Sequence, residues 1–147
     1  MTEIKRRYIE DVNVGDALPP LDLTLTLSAL VMYAGATWDF HRYHYDVEFV
    51  AKLGMPGPFM DGQMLGALLS RQLMRWGGAD AFVRRLSYRQ RVMVYAGDAI
   101  AIRGKVAGTS IENGRPLIYC TLSVTGLGGS TVTRDATGTV EISSRSQ

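Results

Sequence analysis

Residues 61–76 read DGQMLGALLSRQLMRW, and no other stretch limits the fold so tightly. Met64, Leu65, Ala67, Leu68, Leu69, Leu73, Met74 and Trp76 put apolar groups on nearly every side of a helix. A surface helix shows one apolar stripe, so this pattern predicts a helix wrapped by other structure. Asp61 is the expected N-cap, and Arg71 and Arg75 suit the negative C-terminal end of the helix dipole. After the closing GGAD the pattern changes to alternation, predicting strands over 81–95, 99–107, 117–125 and 131–142. Asn113-Gly114 marks one hairpin turn and LGGS, 127–130, another. Ahead of the long helix, LDLTLTL (21–27) alternates as a half-buried strand, and Ser28 is the expected N-cap of a short helix through ALVMYAGA. YDVEFVAKLG predicts a second short helix ended by Gly54, and MPGPF (55–59) a loop. The expectation is one α+β domain over residues 1–147, a curved antiparallel sheet around a central helix, with a loose tail over about 143–147.

Composition narrows the function. Hydrophobic residues make up 46% and charged residues 20%, which predicts a packed core. The net charge of +2 is spread thinly apart from RRLSYRQR at 84–91, too sparse for a nucleic-acid footprint. A lone cysteine, Cys120, excludes an internal disulfide and points to a reducing compartment. In its strand it shares a face with Ile118, Leu122 and Val124, so it reads as core rather than nucleophile. The first residues lack the apolar core of a signal peptide, and no apolar run is long enough to span a bilayer. These features predict a cytoplasmic protein without nucleic-acid or membrane partners.

The chemistry concentrates in TWDFHRYHYD, residues 37–46, which holds both histidines, His41 and His44, beside Asp39 and Asp46. Taken alone, Asp39 as a helix cap and His44 as a surface side chain would explain the pair. A metal site from Asp39, His41, His44 and Asp46 has the right ligand types, but the spacing is not a standard one and no distant third histidine exists. No metal is therefore expected. An imidazole and a carboxylate from one turn can also hold one water between them, the imidazole acting as base near neutral pH.

This stretch and two others together carry a resemblance. Asp39 stands five residues before His44; YDVEFVAKLGMPGPFMDGQ follows, and then AGD at 96–98. Together, from about Tyr8 to Ile142, these resemble the MaoC-like (R)-specific enoyl-CoA hydratases, which have the hot dog fold, and among them the subgroup acting on bulky acyl-CoAs such as steroid side chains. Asp39, Phe40, His44, Gly62, Gly97 and Asp98 match the family pattern. His41, Arg42 and Tyr43 depart from it, and Asp61 stands where the family's loop carries histidine.

The resemblance implies a hydratase, or equally a 3-hydroxyacyl-thioester dehydratase, that works on an acyl-CoA without a cofactor. It implies His44 and Asp39 as the water-handling pair and the Gly62 N–H as donor to the thioester oxygen. Ser70 and His41 are candidate contacts to water or substrate, and Arg89 and Arg91, read as alternating on one strand face, candidate contacts to CoA phosphates. The family also implies a homodimer, or a heteromer with another hot dog subunit, with each tunnel built across the interface. Two other functions remain in view. A hot dog thioesterase commonly carries an acidic residue on the long helix, and residues 63–76 have none. A non-catalytic subunit shaping a partner's tunnel would accommodate the changes at His41 and Asp61. Met60, Met64 and Met74 are expected as core filler, and Gly35 and Gly66 as close-packing positions.

Overall fold

The computed structural model describes residues 5–146. Five strands, β1 (Leu21–Thr24), β2 (Phe82–Gln90), β3 (Ala99–Glu112), β4 (Arg115–Thr125) and β5 (Thr133–Glu141), form one sheet in the order β1-β3-β4-β5-β2. Every neighbouring pair is antiparallel. Three helices accompany it: α1 (Leu27–Thr37), α2 (Val47–Lys52) and α3 (Gly62–Gly77). This is the expected α+β architecture of a sheet curved around a long helix.

Alternation on β4 and β5 builds the concave side of the sheet. Ile118, Cys120, Leu122 and Val124 from β4 and Ala136 and Val140 from β5 are buried against Leu65, Leu69 and Leu73 of α3. Gly138 of β5 lets the helix approach: a Cβ there would lie 2.5 Å from a Leu73 methyl. Burial pushes the Cys120 thiol up to about 12, far from a reactive thiolate, in keeping with a core role. The turn between β3 and β4 has Asn113 and Gly114 both at positive φ, the type I′ geometry that Asn-Gly favours.

Several local expectations are corrected. The cap of α1 is Thr26, whose hydroxyl accepts the Ala29 N–H at 3.1 Å, so the helix starts two residues earlier than a Ser28 cap allows. β1 is accordingly shorter than 21–27. The all-round apolarity of α3 does not translate into all-round burial: nine of its residues are buried, yet Gln63, Ala67, Arg71, Met74 and Arg75 form an exposed stripe. Met74 is 49% exposed, unlike the buried Met60 and Met64. β2 ends at Gln90, because residues 91–95 turn out of the sheet toward the Pro-rich loop, where Met60 N–H reaches Val94 at 2.8 Å. The tail is tied down over its described part. Ser143 bridges Tyr8, Ser144 donates to Glu10, and Arg145 pairs with Asp11; Gln147 lies outside the described residues.

Candidate active site

The site forms where three chain segments meet at the N-terminal end of α3. The first is the exit of α1. Trp38 takes a left-handed conformation (φ 60°), costly for a bulky residue, and turns the chain sharply. Asp39 N–H reaches back to Ala34 O at 3.0 Å, and the Asp39 carboxylate accepts the His41 N–H at 3.2 Å. The second segment is a single 3-10 turn, Arg42–His44, braced by aromatic and ionic contacts. Tyr43 packs against Phe49 and Phe59, and Arg42 pairs with Asp46 while lying over the Phe49 ring. Asp46 is thereby occupied: it caps α2 through the Phe49 N–H and neutralises Arg42, which holds its carboxyl below the usual range.

The third segment is the Pro-rich loop, pinned by the AGD turn. Gly97 has φ 100°, a conformation that favours glycine, and its N–H bonds Leu25 O at 2.7 Å. Asp98 Oδ2 accepts the Tyr95 N–H, and Ala96 N–H reaches Pro58 O. The motif is thus a buttress for the loop rather than a chemical group.

His44 Nδ1 lies 2.8 Å from the Phe59 carbonyl oxygen. A carbonyl only accepts, so Nδ1 carries the hydrogen, and the neutral ring keeps its lone pair on Nε2. Asp39, His44 and Asp61 converge: one donor atom of each lies within 4.8 Å of the others, and all three residues are half-buried. They line an open cleft of about 650 Å³ together with His41, Gly62, Gln90 and Arg91. The same three groups are near enough to ligate a cation, with Asp61 in place of the His41 and Asp46 of the sequence-based set.

Asp61 caps α3 as expected, its Oδ1 accepting the Gln63 N–H at 3.0 Å. Its Oδ2 is buried with no hydrogen-bond partner among the described residues. Burial, with the Asp61 charge adding to it, raises the Tyr33 hydroxyl above its ordinary value. Tyr88 is raised for the same two reasons, burial first, and donates to Gly62 O at 2.8 Å. Gly66 is required here, since a Cβ would meet the Tyr88 oxygen at 2.4 Å, whereas Gly35 faces open space.

Other predicted site residues are placed less centrally. His41 is exposed, stacks on Tyr43 at 4.3 Å and accepts the Tyr43 N–H through Nδ1, which makes it part of the loop scaffold at the cleft edge. Ser70 sits half-buried on α3, about 12 Å along the axis from Gly62, and is not among the residues lining the cleft. Arg89 and Arg91 do not share a strand face: Arg89 follows a register shift in β2 opposite Arg134, and Arg91 lies beyond the strand end, where it lines the cleft. Sequence reasoning missed the Phe59 carbonyl, which no side-chain pattern announces. It also read Asp61 as a helix cap and as a departure from the family histidine, without bringing it beside His44.

The profile of the MaoC like domain matches residues 13–125. The chain belongs to the MaoC-like dehydratase family. A curated relative, the 3-oxo-4,17-pregnadiene-20-carboxyl-CoA hydratase beta subunit of Mycobacterium tuberculosis, is 30% identical over 132 residues, covering 90% of this chain and 96% of the relative. The ChsH1-ChsH2 complex of the same organism contains a chain similar in structure, with TM-score 0.76 and 28% identity over 88% of this chain and 98% of that one. The fold of the MaoC-like chain also matches the R-hydratase PhaJ1 of Pseudomonas aeruginosa (TM-score 0.84, 17% identity, 94% of this chain and 86% of that one). An (R)-hydratase from A. caviae gives TM-score 0.79 at 20% identity, over 90% of this chain and 98% of that chain. The hot dog fold implied by the sequence is therefore the fold of this MaoC-like protein.

Proposed function

We propose that this MaoC-like chain adds water reversibly across the 2,3 double bond of an enoyl-CoA thioester, giving a 3-hydroxyacyl-CoA. The observation that carries the reading is the fixed imidazole. His44 gives Nδ1–H to Phe59 O, so the basic lone pair is on Nε2, and Asp39 stands beside it at a cleft. In the forward step His44 takes a proton from water while Asp39 orients that water, and the oxygen bonds the β-carbon. The electron pair of the double bond moves toward the thioester oxygen, where the Gly62 N–H and the α3 dipole stabilise developing charge. The proton then returns to the α-carbon. Nothing in this sequence of steps calls for a metal or organic cofactor. Arg91, at the cleft, is the arginine suited to a CoA phosphate; Arg89 is not among the residues that line it.

A bulky acyl group is the substrate class suggested by the steroid-type relative, together with Met93, Val92 and Phe59 along the cleft. The protein acts in the cytoplasm in this reading; no helix among the described residues is long and apolar enough to cross a membrane. Among the described residues β2 is a sheet edge, with β5 alone beside it, and that edge suits pairing with another hot dog subunit, identical or not. A second reading is favoured by one fact, that the 30%-identical relative is a beta subunit. In that reading the chain shapes the tunnel of a catalytic partner. Both are tested by incubating the purified protein, alone and with a second hot dog subunit, with crotonyl-CoA and a bulky enoyl-CoA. Loss of the enone absorbance that depends on His44 supports catalysis here. Loss that needs only the partner's residues supports the subunit reading, and release of free thiol indicates a thioesterase.

A further inference from the structure

Asp61 presents an energetic puzzle. One carboxylate oxygen is used by the α3 cap, while the other is buried and accepts no hydrogen bond from any described group. An unpaired buried acceptor is unfavourable, and a charged one more so. A cap does not explain it, because serine or asparagine would satisfy the Gln63 N–H without burying a second charged oxygen. What lies near that carboxylate is His44, with Asp39, at 4.8 Å or less between donor atoms. The neutral imidazole offers it nothing. The imidazolium does.

We infer that Asp61 is a positioning residue for the base: its carboxylate, with one oxygen buried, balances the positive charge that His44 acquires on taking the proton of water. The inference rests on the hydratase reading for its kinetic consequences, though not for the coupling itself. In the step concerned, a water O–H bond breaks, its proton binds His44 Nε2, and the water oxygen forms the C–O bond at the β-carbon. The charge separated in that step is a cation on His44 and an anion toward the thioester oxygen. Asp61 opposes the first, and Gly62, the next residue, answers the second through its N–H. Groups that face His44 from neighbouring segments are Asp39 after α1, Tyr33 on α1 and His41 in the same turn; Arg91 also lines the cleft. Arg42 is held away by its pair with Asp46. Asp39 and Asp61 are thus the anionic side chains of the cluster, and only Asp61 has a buried oxygen without a donor.

Asp61→Asn and Asp61→Ser test this, because both keep a competent cap and remove the charge. Each variant is expected to keep its melting temperature and KM within about threefold while kcat falls roughly 10–100-fold. Asp61→Glu, which returns the charge at the same position, should recover kcat to within about tenfold of the wild type, which a purely structural cap would not require. Unchanged kcat in Asp61→Asn and Asp61→Ser would overturn the inference and leave Asp61 a cap. Should the wild-type protein hydrate no enoyl-CoA, the functional reading fails separately. The coupling is then decided by a double-mutant cycle in thermal unfolding with His44→Lys, which fixes a cation at that position: the substitution should be better tolerated beside Asp61 than in Asp61→Asn. Equal losses in the two backgrounds contradict it.

Discussion

Asp61 and Gln72 lie about three turns apart on α3, and each buries a side-chain oxygen that no described group donates to. Their surroundings divide the helix into two regions. Gln72, 3% exposed, spends both amide hydrogens on backbone: Nε2 donates to Pro19 O at 2.9 Å and to Ile102 O at 3.2 Å. Its neighbours Leu69 and Leu73 are fully buried, and it sews the middle of the helix to β3 and to the chain entering β1. Asp61 instead stands among an imidazole, a second carboxylate and a glycine N–H at the edge of a cleft. A buried polar group on one helix is a stitch in the first place and part of a reactive cluster in the second. What distinguishes them is whether the neighbours can change charge.

Substitutions at the two regions should therefore dissociate activity from stability. The largest effect belongs to the mouth of the helix: His44→Ala and Asp39→Ala are each expected to lower kcat by roughly 10²–10⁴-fold with KM and melting temperature nearly unchanged. Steady-state kinetics beside a thermal melt would show it. Next comes the middle of the helix. Gln72→Ala removes the side-chain donor to the buried Pro19 carbonyl and one of two side-chain donors to Ile102 O, where Arg103 remains, and should cost about 1–3 kcal/mol of stability, visible in denaturant unfolding, while the folded fraction keeps its kcat within about threefold. A Gln72 variant that folds normally yet is inactive would erase the distinction.

Two smaller effects sharpen it further. His41→Asn restores the family residue at a scaffold position and should keep kcat within about tenfold, and incubation with a strong chelator should leave activity unchanged. The terminal clasp supplies the smallest effect. Hydrogen bonds hold the Glu10 and Asp11 carboxyls below their ordinary values, from Ser144 and from Arg145 respectively. Groups depressed on folding stabilise the clasp above the ordinary carboxylate range and lose that contribution as pH falls through and below it. Hydrogen exchange at the Ile9 amide, which bonds Ser143 O, should accelerate relative to core amides below about pH 4, and the effect should weaken with salt.

Much of this was legible in the residues. The long helix announced itself by apolarity and an Asp cap, and the β3–β4 hairpin by Asn-Gly, because both signals are local. Met74 and the exposed stripe were not legible: side-chain type fixes what a face can bury, whereas the sheet contacts only one side of α3. The Asp39–His44 pair was visible because only four residues separate its members in the sequence. The approach of Asp61 was not, since it depends on the Pro-rich loop returning the chain after seventeen further residues, a closure fixed by bonds between Met60 and Val94 and between Pro58 and Ala96. Arg89 and Arg91 failed as a pair because a register shift and an early strand end are backbone events that alternation does not report.

The central claim, that His44 and Asp39 act on one water in one step, is tested most directly by a double-mutant cycle in kcat for hydration of an accepted enoyl-CoA. The account predicts that Asp39→Ala/His44→Ala is no more than about threefold worse than the more damaged single variant, because the second change removes nothing the first left working. Losses that multiply, or a His44→Ala enzyme that hydrates at the wild-type rate, would contradict it.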